Sequence, residues 1–215
     1  KSISFQEAVE LSHFGAKVLY PPTVQPVLDK NIPIVIKNTL APKDTGTYIS
    51  EGPANGSNVA VKGISNIDDV ALLTLQGNGM VGIPGFSKRL FETLSQEKIN
   101  VILITQASSE HSICIGVAEK DASNAKTSID SAFENEISLH KIDPLIVEKD
   151  LAIIAVVGDN MKNHQGISGK MFSTLGKNNV NIRAIAQGAS ERNISAVIAK
   201  KDVKKALNTL HERFF

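Results

Sequence analysis

The chain has 215 residues, 42% hydrophobic and 21% charged, a composition able to bury a core and unlike that of a disordered segment. Its 23 lysines and arginines against 22 acids leave a net charge of +1, without the cationic excess of a nucleic-acid binder. No apolar run is long enough for a membrane helix and the first residues are too polar for a signal peptide, while the lone Cys114 excludes an internal disulfide and suits a reducing cytosol.

The chain opens without an initiator methionine, on helix-like residues, and reads as a piece of a longer protein. Ser4-Phe5-Gln6-Glu7 has the spacing of a capping box and predicts a helix to about Leu11. Tyr20-Pro21-Pro22 reads as a helix stop, residues 23–30 as another short helix, and 32–37 (IPIVIK) as a buried strand. Residues 41–46 form a turn and 51–58 (EGPANGSN) a linker. Fifty residues in this pattern are too few for an α/β domain of their own, so residues 1–50 read as the end of a domain.

A repeat organises the rest. Residues 70–134 align without gaps on 151–215 at a constant offset of 81, with 19 identities in 65 positions. They include Gly77/Gly158, Met80/Met161, Gly85/Gly166, Phe91/Phe172, Asn100/Asn181, Ile104/Ile185 and Gln106/Gln187. Each copy reads as strand (71–75; 151–157), glycine turn, helix, Asn-containing turn, strand (101–105; 182–186), polar loop (107–111; 188–192), strand (112–117; 194–199) and helix. The first helix has apolar residues at helical spacing, Phe86, Leu90, Phe91 and Leu94 or Ile167, Met171, Phe172 and Leu175. Asp121 and Asp202 stand where N-caps of the last helix would. One more strand completes the β-α-β-β-α-β ferredoxin-like plan, and residues 137–142 and 59–65 are the candidates to supply it. The fold class is therefore α+β, two tandem ferredoxin-like domains after an α/β stub. Its divisions are 1–50, a linker and strand at 51–65, and the two domains at 66–145 and 146–215.

Gly77-Asn78-Gly79-Met80-Val81-Gly82 matches G-x-G-x-x-G, but Glu97 precedes the second strand instead of ending it, and copy two lacks the second and third glycines. The match reads as accidental. The five histidines show no metal-ligand spacing, Cys114 sits mid-strand, and Lys200, Lys201, Lys204 and Lys205 read as a solvated face. No catalytic constellation is visible. What recurs is a glutamine ending the second strand, Gln106 or Gln187, opposite a loop (80–85; 161–166) that ends in glycine at a helix start. Free N–H groups at a helix start suit a carboxylate, and an amide offers both donor and acceptor to a second polar group. That combination fits a free amino acid.

Copy two, GDNMKNHQGISGKMFSTLGKNNVNIRAIAQGASERNIS, resembles the second ACT domain of the bifunctional aspartokinase–homoserine dehydrogenases, and copy one, with ITQASSEHSI, is similar to the first. The opening, SFQEAVELSHFGAKVLYPP through IPIVIKNTLAPKDTGT, resembles the end of the aspartokinase catalytic domain, with Tyr20 where that family more often has His. The resemblance implies two ACT domains that pair in a homo-oligomer and hold an amino-acid effector. It implies a site at Gln106 and Gln187 with Ile104, Ile185, Asn100, Asn181, Met80, Gly85, Met161 and Gly166. It further implies L-threonine as effector and a cytoplasmic parent using ATP with Mg and NADP, while this stretch itself carries no catalytic residue, cofactor, metal, nucleic-acid or membrane partner. In lysine-sensitive monofunctional aspartokinases an acid two positions after the Asn100 equivalent reads the lysine ammonium. Here Ile102 and Arg183 stand there, which favours threonine. A lysine-sensitive aspartokinase and a ligand-free assembly module are the alternatives.

Overall fold

A computed structural model describes residues 2–15, 19–52, 60–106 and 111–215. The chain divides into two compact units, Lys1–Ile67 with Ile153–Ala196 and Asp202–Phe215, and Asp68–Ala152 with Val197–Lys201.

Strand β1 (Ser2–Ser4) ends in the capping box anticipated from the sequence. Ser4 Oγ accepts from Glu7 N at 3.0 Å, and Glu7 Oε2 accepts from Ser4 N at 2.9 Å. Two donors at the start of helix α1 (Phe5–His13) are thereby satisfied, and the helix runs two residues past Leu11. The Tyr20-Pro21-Pro22 stop is corrected: it starts helix α2 (Pro21–Leu28) instead, because proline at the first helical positions lacks only an N–H that would be unpaired there. The strand expected at 32–37 shrinks to β2 (Ile34–Ile36), and it is not buried, since Val35 is 50% exposed. With β3 (Thr47–Ser50) these strands form a sheet in the order β1-β3-β2, β1 parallel and β2 antiparallel to β3. Phe5, Ala8, Val24 and Ile49 make its core. Most of the expected linker, residues 53–58, and the first residue of the candidate strand at 59–65 lie outside the described residues.

Strand β4 (Gly63–Gln76) is far longer than its apolar end at 71–75, because the polar stretch before it is also extended. Helix α3 (Phe86–Gln96) buries Phe86, Leu90 and Leu94, with Phe91 half-buried against the same core. Strands β5 (Val101–Gln106) and β6 (Ser112–Ala118) follow, the loop 107–110 lying outside the described residues. β6 pairs antiparallel with β4 from Val70↔Ala118 to Gln76↔Ser112, and β5 pairs antiparallel with β6. Between Val101 and Leu103 the register slips, so Ile102 sits at a bulge.

Helix α4 (Ala122–Ala132) lays Ala122, Ala125 and Ile129 into the core, and α5 (Glu134–Ser138) continues it. The strand expected at 137–142 is thus corrected to a helix and turn. The apolar period there is four, not two: Ile137 N–H bonds Phe133 O at 3.0 Å, and Leu139 points to solvent. Asp143 N–H then bonds Gln76 O at 2.9 Å, and residues 146–152 of strand β7 (Ile146–Val157) supply the fourth strand of this unit, in the order β5-β6-β4-β7.

Residues 153–157 of β7 begin the second copy, followed by helix α6 (Ile167–Lys177), β8 (Ile182–Ala186), β9 (Asn193–Ala199) and helix α7 (Val203–Phe214). β9 lies between β7 and β8. Lys62 N–H bonds Val157 O at 2.8 Å, bringing the start of β4 alongside as a fourth strand, as the candidate at 59–65 requires from Gly63 on. The first copy is thus βαββαβ in chain order, whereas the second runs βαββα from β7 to α7 and takes its remaining strand from upstream, at the start of β4. Asp121 and Asp202 occupy the N-cap positions without a side-chain capping bond: each ends a 3-10 turn and takes helical dihedrals in place of the extended ones usual for a capping residue. Asp202 pairs instead with Lys205 at 3.2 Å. Among the described residues no helix is long and apolar enough to cross a membrane.

Candidate functional site

In each copy the first strand ends at a glycine, a 3-10 turn follows (Asn78–Met80; Asp159–Met161), and a methionine of that turn, Met80 or Met161, is buried beneath the loop. The loop closes on Gly85 or Gly166 at the helix N-cap, with φ of +107° and +87°. That left-handed geometry suits glycine, and a glycine cap brings no side chain over the helix start. No side-chain cap bonds the first amides of α3 or α6. Those donors and the positive end of the helix remain available to an anion.

In the first copy this loop walls a cavity of 360 Å³ lined by Met80, Gly82, Ile83, Pro84, Gly85, Phe86, Ser87, Gln106 and Ile113. The volume stands at the small end of ligand pockets. Gln106 ends β5 opposite Ile113, and its side chain is exposed at the mouth. In the second copy Ser168 Oγ donates to Gln187 Oε1 at 3.4 Å. Ser87 and Ser168 share the offset of 81, so both copies set a serine of the helix's first turn near the strand-end glutamine. Sequence reasoning passed over this serine, although its identity in the repeat was a signal.

The structure does not gather all the expected residues. Met80, Gly85 and Gln106 line the cavity, whereas Ile104 lies one strand alternation before Gln106 and is 53% exposed. Asn100 and Asn181 precede β5 and β8, at the ends away from the glutamines. Met161, Gly166 and Gln187 repeat the arrangement in copy two, where Glu191 Oε2 also accepts from Asn163 N at 2.9 Å. The residues 107–110 that follow Gln106 lie outside the described residues.

Other features have structural partners. Gly77 N–H donates to His111 O and Gly79 N–H to Lys141 O, so two amides of the G-x-G-x-x-G stretch are engaged within the protein. Cys114, half-buried in β6, accepts weakly from Thr74 Oγ1 at 3.5 Å, and burial pushes its thiol pKa up. Lys200 pairs with Asp69 at 2.6 Å, which raises its pKa. No group of three metal-ligating side chains occurs among the described residues.

A family model described as ACT domain matches residues 73–133 and again 154–214. The chain belongs to the ACT domain family. Along its whole length this ACT pair and its leading segment are 46% identical to the bifunctional aspartokinase/homoserine dehydrogenase of Haemophilus influenzae, of which they cover 26%. The chain thus spans about a quarter of the length of that relative. It also superposes over its full length on an aspartate kinase of Clostridium acetobutylicum, with a TM-score of 0.87, 28% identity and 48% of that chain covered. The regulatory subunit of aspartate kinase from Thermus flavus matches 73% of this chain and is itself covered to 99%, with a TM-score of 0.62 and 25% identity.

Proposed function

We propose that this ACT pair is the allosteric regulatory region of an aspartokinase–homoserine dehydrogenase and that it binds L-threonine. The observation that carries the reading is the first-copy cavity, where an uncapped helix start, Ser87 and Gln106 converge. Helix amides would take the effector carboxylate, and the serine hydroxyl and glutamine amide its remaining polar groups. The contacting set extends to Met80 and Gly85, and in the second copy to Met161, Gly166 and Gln187, while Ile104, Ile185, Asn100 and Asn181 stand outside it.

The leading 50 residues are the end of the kinase catalytic domain in this reading. A whole aspartate kinase matches all of the chain, whereas the regulatory subunit matches under three quarters, which supports that division. The parent would use ATP with Mg and a nicotinamide cofactor, none of which is assigned to residues here. Effector binding shifts the population of quaternary states, which requires different affinity for each.

Threonine is preferred to lysine because the place of the lysine-reading acid is held by Ile102, at the β5 bulge, and by Arg183. Calorimetric titration of the chain with L-threonine and with L-lysine tests the reading. Heat from threonine alone is expected; heat from lysine alone transfers the chain to the lysine-sensitive class, and heat from neither leaves an assembly module.

A further inference from the structure

The loop opening α6 carries contacts that effector binding does not require. Asp159 N–H donates to Glu7 Oε1 at 2.9 Å, while the other oxygen, Oε2, accepts from Ser4 N at 2.9 Å. Ser4 Oγ accepts from Glu7 N and donates to Asp159 Oδ2. These four hydrogen bonds join three residues in a closed ring in which Ser4 and Glu7 are almost wholly buried, at 0% and 2% exposure. Arg192 Nε stands 2.8 Å from Asp159 Oδ1, close enough to balance charge although that buried oxygen receives no in-line hydrogen bond. One turn along α1, Glu10 Oε2 accepts from Asn193 Nδ2 at 2.6 Å.

The first copy carries Asn78, His111 and Ser112 where the second carries Asp159, Arg192 and Asn193. The ring therefore belongs to the second copy alone, and the shared ACT plan does not account for it. Glu7 does two things at once: it closes the cap of α1 and it holds the amide that starts the 3-10 turn leading to Met161 and Gly166. If the loop shifts, Glu7 loses an N–H and Ser4 loses its acceptor, and both residues are buried. Leaving buried polar groups unpaired is costly, so cap and loop favour changing together.

We propose that Glu7 and Asp159 are positioning residues that couple the loop of the second ACT copy to helix α1. In the effector role this rests on the proposed function: threonine ordering the 158–166 loop would tighten α1, and reciprocally a loosened α1 would weaken threonine at this copy.

Hydrogen exchange on the 215-residue chain, wild type beside Glu7→Gln and Asp159→Asn, with and without saturating L-threonine, tests the coupling. In wild type threonine should slow exchange in both the loop and α1, the α1 response being about fivefold or more, the lower end of ordinary coupling. In the variants the loop should still respond and α1 should not, with denaturant unfolding correcting for any general loss of stability. Threonine binding by calorimetry with an unresponsive wild-type α1, or an α1 response surviving in both variants, overturns the coupling and leaves the effector reading intact. If calorimetry shows no threonine binding, the effector reading falls and the ligand-free arm decides. Glu7→Gln must then speed exchange at Asp159–Met161 beyond the global change, and an effect confined to α1 overturns the proposal.

Discussion

Ser168 Oγ and Gln187 Oε1 lie 3.4 Å apart, joining the first turn of α6 to the end of β8. The same pair recurs in the first copy as Ser87 and Gln106, both on the wall of the 360 Å³ cavity. A hydroxyl and an amide held on two different elements make a clamp whose span is set by the sheet-to-helix packing. Ser87→Ala and Gln106→Ala should each weaken threonine binding about five- to hundredfold, the loss of a hydrogen bond that leaves a ligand polar group unpaired. Fold stability should change by less than about 0.5 kcal/mol for Gln106→Ala, whose amide is exposed. Threonine titrations beside denaturant unfolding check both. Equal affinity in both variants would remove the clamp from the site.

The Arg89 guanidinium bonds both oxygens of Glu136 and lies 4.3 Å over the Phe133 ring. This pairing, chiefly its hydrogen bond, holds the Glu136 carboxyl below its usual 4.5, against a smaller opposing effect of burial. A carboxylate depressed on folding contributes stability that is present above its unfolded value and lost as pH falls through the folded one. The contribution of Glu136 should therefore begin to decline below about pH 4.5 and be gone only once the pH has passed the lower folded value. Acid titration of wild type and Glu136→Gln should give curves that differ near neutrality and converge in acid. The gap at neutral pH should be small, since Arg89 is substantially exposed.

Burial raises the thiol pKa of Cys114, and Thr74 only partly offsets this. The reactive thiolate is thus scarce near neutrality. Its reaction with a disulfide reagent at pH 8 should be slow in the folded chain and fast after unfolding in denaturant. Fast labelling of the native chain would contradict the packing of β6 beside β4.

Much of this was legible beforehand because two kinds of signal agreed. The offset of 81 fixed two copies of one plan, and the Ser4–Glu7 spacing fixed a helix start to the residue. The failures came where a local pattern admits two periods. The 137–142 stretch alternates like a strand, but its phase relative to Phe133 is helical, and only the packed core decides between them. Asp121 and Asp202 carry the right side chain for capping, yet the preceding 3-10 turns fix dihedrals no composition rule reports. At the site, Gln106 and Gly85 were readable from the repeat, while Ser87 needed the helix start to be located to one residue. The ring joining Glu7 to Asp159 was unreadable, since 152 positions separate its partners and nothing local marks either.

Ile104 supplies the last prediction. β5 is the edge strand of its unit, and Ile104 stands 53% exposed on it. An edge strand carrying an exposed isoleucine is open to pairing with another strand, and a homo-oligomer formed through ACT–ACT contacts would cover it. A charge placed there would have to be desolvated in such an interface. Ile104→Lys should therefore shift the chain toward monomer in sedimentation at tens of micromolar, with circular dichroism and thermal unfolding little altered because the side chain faces solvent within the chain. Wild type should sediment as a larger species under the same conditions. A wild-type monomer, with or without threonine, would exclude pairing between chains through this edge, and an Ile104→Lys oligomer as stable as wild type would assign the interface to another surface.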